Sequence, residues 1–559
     1  MSGESSVTSD RPAGEEDDDG DEGWTGTVAR AFAGVRRRPG LPVTRADLPW
    51  LGGLLAVGLA VVAAYLLTNP YPAYGAGLYT VIADAIRAAG YGLPRGIEGY
   101  TTEPVPVAYP PLALYGLAVL RDLGVGTFAA ARYVPPLVTV AALVPVYLLG
   151  RDLLGRGPIG TEPSVGGRVE GRFVGRAAGA ASALLVGLNP QVLEWHVSAG
   201  GLVRAPAFLF ALSSAYAGLR LFRDRDAAWL PVALGTFTLT VLTHPTYTLF
   251  VVLTDLLFWV GYDRSGPGLL RGAAVGVGGA VLSAPWWLTV VSRHGPGVFA
   301  AAAGTHGGVG GGLADAAIGW SLVPLVAAGL LAITGWRVLP AWVLLAWVAF
   351  DQPRFVYAVG AFALVGVATE CAGRFPTARP RNGDRLRRVA VAVLVCVAAV
   401  GVGNLAYSFA GATDPTTPSF VDDDDVAAME WIAAETEPDA TFVVLGDAAE
   451  WFPAVAERTI LVAPWGAEWR TPETYDRQLG AFENASVCRS VGCLDAELAT
   501  TAPTPAPDYL YVPRGGYTVR GDRHVQFGTL ERSLELAGGY ERVYANEGVV
   551  VYRVDDGTN

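Results

Sequence analysis

The chain has 559 residues, of which 52% are hydrophobic and 16% are charged, and its formal net charge at neutral pH is −12. With a mean hydropathy of +0.35, this composition excludes an ordinary soluble protein. It also excludes a nucleic-acid-binding protein, because the basic residues flank apolar stretches at the predicted cytoplasmic membrane surface.

The chain contains no lysine, so its cationic side chains are arginines and a few histidines. Excess acid without lysine is typical of a halophilic protein, whose surface is adapted to high salt that screens charge repulsion. A GC-rich genome that favours arginine, alanine, glycine and valine codons would produce the same bias. The two explanations are compatible.

The first 45 residues include the run EEDDDGDE and contain little to bury. Residues 1–45 are therefore predicted to form a disordered, acidic cytoplasmic tail. From Leu48 to Phe409, apolar stretches long enough to cross a bilayer core of ~30 Å alternate with short loops. The predicted spans are 48–68, 131–150, 177–194, 203–221, 228–243, 246–262, 273–291, 317–335, 339–350, 355–371 and 389–409.

Alternate loops of this region are rich in arginine, and by the positive-inside rule the rich loops are cytoplasmic. Eleven crossings that start inside then place the C-terminus outside the cell. The prediction is a mainly α, polytopic cell-membrane protein with a transmembrane domain over 46–411, followed by a small extracellular α/β domain over 412–559. In that second domain, helical segments alternate with short apolar strands such as TFVVLGD, PDYLYVP and EGVVVYRV.

The predicted extracellular domain carries three local signals. Cys488 and Cys493 are expected to form a disulfide, although their spacing also fits half of a metal site. Asn484 begins the glycosylation sequon Asn-Ala-Ser. The stretch 464–469, PWGAEW, is a candidate for contact with a ligand, since tryptophans stack on sugar rings, but aromatic residues of a small domain are more often core.

The first outer loop, 69–130, is the most specific element of the chain. Its segment YTVIADAIRAAGYGLP predicts an amphipathic helix that lies flat on the membrane, with Asp84 at the side of the apolar face. Prolines then force an extended turn before the next helix, which begins at Tyr109-Pro110-Pro111. We expect 105–123 to form a short helix that lies in the outer interface or dips partway into the membrane, because counting it as a span would place an arginine-rich loop outside.

Ionisable residues gather at the predicted outer ends of the spans, where they are costly unless they face a cavity. One interpretation is a shared site; the other is that helix ends simply tolerate polar side chains. Arg354 is a candidate for binding a phosphate, or else it is an interfacial anchor or forms an ion pair with Asp351. The further candidates for substrate binding are His196, His244 and Tyr109, and no histidine spacing indicates a metal site.

A long first outer loop with flat helices and a carboxylate, then a Pro-Pro-Leu helix start, then RYVPPLVTVAALVPVYLLGRDLLG, resembles the GT-C class of membrane glycosyltransferases. This class includes protein O-mannosyltransferases and lipid A aminoarabinose transferases. The resemblance covers about 48–200 and implies an outer active site that transfers a sugar from a polyprenyl-phosphate carrier. It also implies an acidic residue in the first outer loop that acts as base or binds a metal, which by position favours Asp84 and then Glu103.

The chain departs from these relatives directly after the first span, where they commonly carry an acidic residue and this chain has Asn-Pro-Tyr-Pro-Ala-Tyr. The leading hypothesis is a glycosyltransferase that uses a polyprenyl- or dolichyl-phosphate-linked sugar, with a divalent metal possible but not required. Its acceptor would be an extracellular protein, a membrane lipid or a surface glycan. The alternative is a non-catalytic protein that uses the same scaffold to bind a lipid-linked glycan or an envelope partner. A transporter is less favoured, because ionisable groups gather at the outer ends of the spans and not at the midplane.

Overall fold

The computed structural model describes residues 19–155, 168–305, 318–350, 352–374, 383–410, 417–500 and 506–555. The helices are α1 (Asp19–Phe32), α2 (Leu48–Thr68), α3 (Gly77–Ala88), α4 (Leu112–Asp122), α5 (Thr127–Leu154), α6 (Arg168–Gly187), α7 (Pro190–Val197), α8 (Gly201–Phe222), α9 (Leu230–Val241), α10 (Pro245–Tyr262), α11 (Gly266–Leu282), α12 (Ala284–His294), α13 (Gly297–Thr305), α14 (Ile318–Ile333), α15 (Val338–Ala349), α16 (Pro353–Arg374), α17 (Gly383–Ala410), α18 (Asp423–Glu435), α19 (Phe452–Ala456), α20 (Pro472–Ser486), α21 (Val491–Thr500) and α22 (Thr529–Ala537). The strands are β1 (Gly96–Ile97), β2 (Val105–Pro106), β3 (Thr441–Val444), β4 (Thr459–Ile460), β5 (Tyr509–Pro513), β6 (Gly515–Val519), β7 (Asp522–Gln526), β8 (Tyr540–Ala545) and β9 (Val549–Val554).

Six described helices are long and apolar enough to cross a membrane, and the pair α11 and α12 makes a seventh candidate. The six are α2, α5, α8, α10, α16 and α17. The chain is therefore a multi-pass membrane protein. Each predicted span coincides with a helix or a helix pair, but α9, α14 and α15 are shorter apolar helices, so the number of crossings stays a prediction.

Two predicted spans are broken, and proline is the physical reason in both. The span predicted over 273–291 bends by 56° between α11 and α12, where Pro285 lies in the first turn of the second helix. The span predicted over 177–194 ends early, and Pro190 starts the separate short helix α7. The side chain of Asn189 accepts a hydrogen bond of 2.9 Å from the Gln191 backbone N–H and caps that helix.

The first outer loop contains two helices, α3 and α4, as the sequence predicts. The apolar face of α3 is buried, whereas its Asp84 side remains partly exposed. The helix α4 begins directly after Pro110 and Pro111 and has eleven residues, which is too short to span a bilayer. Between the two helices, β1 and β2 pair in antiparallel fashion.

The C-terminal segment folds around a five-stranded sheet with the order β4-β3-β5-β9-β8. The neighbours β3, β4 and β5 run parallel, while β9 is antiparallel to both β5 and β8. The central strand β5 is buried along its whole length. A separate hairpin of β6 and β7 follows β5 and was not predicted from the sequence, and neither was β8.

The first outer loop and the C-terminal domain share one hydrophobic core. Ile82 and Tyr100 of the loop belong to the same buried cluster as Phe442 and Phe452 of the domain. Tyr100 also forms a bridge to Ile460, so the loop extends the edge of the domain's sheet. The domain is therefore built onto the loop and holds it in a fixed position.

The N-terminal segment differs from the expected disordered tail over part of its length. Residues 19–32 form α1, which packs on α11 through the fully buried Ala31. Arg271 Nε donates a hydrogen bond of 2.9 Å to the Ala31 carbonyl, which gives this short helix a tertiary partner. Residues 1–18 lie outside the described part of the chain.

Candidate active site

Two arginines from different helices converge on one tryptophan ring. The guanidinium carbons of Arg204 in α8 and Arg354 in α16 lie 5.1 Å and 5.9 Å from the ring centre of Trp195 in α7. Arg354 is 7% exposed, and its Nε donates to no described residue. Within the described part of the chain, neither guanidinium forms an ion pair with a carboxylate. Two cations held together in a poorly hydrated place are suited to bind an anion.

The chain that follows the first span packs directly on this tryptophan. Tyr74 stacks on Trp195 at a ring distance of 5.1 Å and donates a hydrogen bond of 2.6 Å from its hydroxyl to Glu194 Oε1. Its backbone N–H donates to the carbonyl of Pro418, and its carbonyl accepts a bond of 3.1 Å from Trp451 Nε1. The first outer loop is thus fixed between α7 and the C-terminal domain. The Glu194 carboxylate also interacts electrostatically with Arg354, without an ion pair between the two.

His196 is fully buried and satisfied on both ring nitrogens. Nδ1 lies against the carbonyl of Val192, which can only accept, so Nδ1 carries the proton. Nε2 therefore accepts from the hydroxyl of Tyr247 at 2.5 Å. The ring of Tyr247 lies 5.9 Å from the guanidinium carbon of Arg354, so His196 holds a tyrosine beside that arginine.

His244 and Tyr109 form the next layer of the site. His244 Nδ1 accepts from the backbone N–H of Thr246 at 3.3 Å and caps α10. The Tyr109 ring lies edge-on to His244 at 6.0 Å and edge-on to Trp469 at 5.8 Å. Of the residues predicted from sequence, the structure therefore brings together Arg354, His196, His244 and Tyr109. Trp469 belongs to the stretch 464–469, so that stretch reaches the site as well.

The C-terminal domain contributes two carboxyl groups to the same region. Glu450 ends the 3₁₀ helix Asp447–Glu450, and Glu468 lies in the 3₁₀ helix Ala467–Trp469. Burial, followed by the nearby Asp447 carboxylate, raises the pKa of Glu450 to about 8. Burial raises the pKa of Glu468 to about 7. As whole residues both are only partly buried, and Glu468 Oε2 is buried with no hydrogen-bond partner among the described residues.

The two carboxylates favoured by sequence lie elsewhere, each bound to arginine. Asp84 accepts a bond of 2.8 Å from Arg87 and a bidentate contact from Arg121 at 3.1 Å and 3.0 Å. The Glu103 side chain is 77% exposed and pairs with Arg470 at 2.8 Å. Neither carboxylate contacts the arginine pair on Trp195 within the described residues, and the catalytic assignment of both stays a prediction. Asp351 lies outside the described residues.

Two further sequence signals lie in the C-terminal domain. Cys488 and Cys493 are joined in a disulfide between the end of α20 and the start of α21. Asn484 is exposed on α20, and its amide donates a bond of 3.1 Å to Glu497 Oε2. The sequon hydroxyl of Ser486 is buried and accepts from the backbone N–H of Gly446. Its glycosylation stays a prediction.

A metal ion has no evident set of ligands here. Within the described ranges, no three histidine, cysteine, aspartate or glutamate side chains lie close enough together to hold one. The groups present offer other chemistry: two guanidiniums for an anion, aromatic rings for a sugar, and carboxyl groups whose raised pKa suits proton transfer near neutral pH.

Sequence reasoning missed Arg204, Trp195 and Glu450 as site residues. Arg204 carried a usable signal, because it is an arginine in the first turns of an apolar span and such residues are costly without a partner. Trp195 directly precedes His196, which was a candidate for substrate binding. Glu450 had no local signal, since only the packing of the domain on the first loop brings it to the site.

No protein-family model matches the chain, and no curated protein sequence does either. Among solved structures, it matches the Archaeoglobus fulgidus oligosaccharyltransferase, tethered with an acceptor peptide containing the NVT sequon, with a TM-score of 0.53 and 15% identity over 90% of this chain and 74% of that one. It also matches ArnT from Cupriavidus metallidurans bound to undecaprenyl phosphate, with a TM-score of 0.49 and 15% identity over 90% of this chain and 98% of that one. The oligosaccharyltransferase is a GT-C glycosyltransferase, so the chain has the GT-C fold. This confirms the predicted fold class.

Proposed function

We propose that this chain is an integral membrane glycosyltransferase. Its donor is a sugar linked to polyprenyl or dolichyl phosphate, and its acceptor is a hydroxyl or amide group on a protein, lipid or surface polymer outside the cell. The single observation that carries the proposal is the pair Arg204 and Arg354 on the ring of Trp195, inside a GT-C fold. A lipid-linked donor presents a phosphate at the membrane surface, and two converging guanidiniums match that anion in charge and geometry.

The proposal requires that the site faces outward. The arginine-dense loops support an orientation with the N-terminus in the cytoplasm and the C-terminal domain outside the cell. A topology reporter fused after residue 555 tests this directly. Reporter activity on the cytoplasmic side would remove the outer acceptor from the proposal.

The site supports an inverting displacement with one base. The arginines would hold the phosphate as it leaves, and the aromatic rings of Tyr109, Tyr247 and Trp469 would bound the sugar. A carboxylate would take the proton of the acceptor. From the sequence, this base would be Asp84 or Glu103 in the first outer loop, which Asp84→Asn and Glu103→Gln variants test by their transfer rates.

The decisive experiment compares envelope glycans between a deletion strain and its parent. We expect a glycan species to disappear on deletion and to return with the wild-type gene and with Arg264→Gln, an exposed arginine far from Trp195. We expect Arg354→Gln, present at the same level, to leave it absent. Identical glycans in all strains would contradict the enzymatic proposal. Together with retained binding of undecaprenyl phosphate, they would favour the non-catalytic scaffold instead.

A further inference from the structure

We infer that the C-terminal domain supplies the catalytic base of this transferase, through the Glu450 carboxylate inserted against the start of the first outer loop. This inference rests on the proposed function and deepens it. It differs from the sequence-based hypothesis, which places the base within the loop.

The first argument is the position of the carboxyl group. An ideal Cβ on Gly75 would lie 2.0 Å from Glu450 Cδ and 2.1 Å from its Oε2, so the Glu450 side chain fills the space that a side chain of residue 75 would need. An ideal Cβ on Gly77 would lie 1.8 Å from the Glu450 carbonyl oxygen. The hydroxyl of Tyr100 donates to that same carbonyl at 2.7 Å and fixes the backbone of Glu450.

The second argument is that the surrounding loop has no acid of its own. From Asn69 to Ala83 the chain contains neither aspartate nor glutamate, and Asp84 is bound to Arg87 and Arg121. Two glycines at the start of the loop instead leave room for a carboxylate from another domain. The domain thus delivers an acid directly beyond the first span.

The third argument is the electrostatic setting, which also separates Glu450 from Glu468. Glu450 interacts with Arg204 of the anion site as well as with Arg520, whereas Arg520 is the charged residue that acts on Glu468. The carboxylate of Asp447, one turn earlier, accepts hydrogen bonds of 2.8 Å from the backbone N–H groups of Arg520 and Gly521. Glu450 forms no ion pair within the described residues, and the residue as a whole is only partly buried. It therefore interacts with the anion site while no arginine binds its carboxylate directly.

The reaction step is a displacement at the anomeric carbon. The acceptor hydroxyl oxygen forms the new bond to that carbon, and its proton passes to the Glu450 carboxylate. The bond between the anomeric carbon and the phosphate oxygen breaks, and its electron pair leaves with the polyprenyl phosphate. Arg204 and Arg354 face the charge that develops on that phosphate.

The test uses the full-length protein in the deletion strain, with Glu450→Gln as the key variant. Glu457→Gln is the matched control, because Glu457 is an exposed glutamate of the same domain. The readouts are the rate of glycan transfer and, for the purified protein in detergent, the binding of undecaprenyl phosphate. We expect Glu450→Gln to lower the rate by roughly 10²–10⁴-fold, the usual contribution of a general base, and to bind the lipid within about twofold of wild type. We expect Glu457→Gln to match wild type in both.

A second variant, which moves the carboxylate to residue 75, distinguishes loss of the base from misfolding. Because the three atoms that would meet a Gly75 side chain all belong to Glu450, the double variant Gly75→Asp with Glu450→Ala restores a carboxylate at nearly the same point. We expect Glu450→Ala to be inactive and the double variant to regain at least tenfold. Wild-type transfer in Glu450→Gln, loss of lipid binding together with transfer, or no gain in the double variant would overturn the inference. An absence of any transfer by wild type would instead contradict the proposed function itself.

Discussion

The first outer loop and the C-terminal domain each offer carboxylates, and the two sets differ in what holds them. Asp84 lies in the partly exposed network of α3 and α4, where Arg121 binds both of its oxygens. Glu450 lies deep between the domain and the loop, with no ion pair in the described residues and with a pKa raised to about 8. A carboxylate that is fully bound by arginine holds structure together. One that is buried and lacks an ion pair is poised to exchange a proton.

The largest effect is expected at the arginine pair, because transfer requires the donor phosphate to bind whichever carboxylate acts as the base. The double variant Arg204→Gln with Arg354→Gln removes two charge-assisted contacts, each worth about 1.5–3 kcal/mol. We expect undecaprenyl phosphate to bind at least roughly a hundredfold more weakly, as measured by titration of the purified protein. Arg264→Gln is the control. Unchanged affinity in the double variant would show that Trp195 does not mark the phosphate site.

The contact between the loop and the domain is tested at Gly77. A methyl group there would lie 1.8 Å from the Glu450 carbonyl, which is backbone and cannot swing aside. We expect Gly77→Ala to destabilise the protein by about 1–3 kcal/mol and to slow transfer, because the domain must shift away from the loop. Gly116→Ala is the control in thermal unfolding, because Gly116 lies in the same loop and the added carbon would have nothing within 4 Å. Equal melting temperatures would mean that the domain does not seat on the loop as described.

A pH profile tests Glu450 as the base without a large structural change. A base must be deprotonated to act, so with a pKa of about 8 for Glu450 the transfer rate should rise with pH up to about 8 and then level off. The charged or titratable groups that face Glu450 are Asp447, Arg204, Arg520, Tyr79 and Tyr100. A rate that is already constant from pH 6 to 9 would argue against Glu450 as the base.

The smallest effect is expected for the stability contribution of Asp84. Its contact with Arg121 joins two partly exposed side chains, and such pairs contribute about 0–1 kcal/mol. We expect Asp84→Asn to lower the melting temperature less than Gly77→Ala does. A larger loss from Asp84→Asn would show that the network between α3 and α4, and not the domain, determines the loop's position.

The sequence predicted most of the fold, because a helix in lipid and a strand in a protein core both require a continuous apolar segment. Continuous apolar runs predicted α2, α5 and α10, and short apolar segments predicted β5 and β9. The edge strand β8 and the hairpin of β6 and β7 were missed, since their side chains are half-exposed or polar and carry little apolar pattern. Pro190 and Pro285 indicate the breaks at these positions. The apolar composition continues through both prolines, so hydropathy alone predicts an unbroken span.

The candidate site was only half predictable. Arg354, His196, His244 and Tyr109 lie at the ends of apolar segments, so topology alone gathers them at one side of the bundle. Glu450 lies in a separate domain, and its approach to Gly75 depends on how the loop and the sheet share a core. No local pattern in the sequence encodes such a contact.

The most direct test of this account measures glycan transfer by Glu450→Gln and Asp84→Asn side by side, at saturating donor and matched protein levels. The account predicts that Glu450→Gln loses at least a hundredfold in rate, whereas Asp84→Asn loses far less. The reverse order, with Asp84→Asn inactive and Glu450→Gln close to wild type, would contradict it and return the base to the first outer loop.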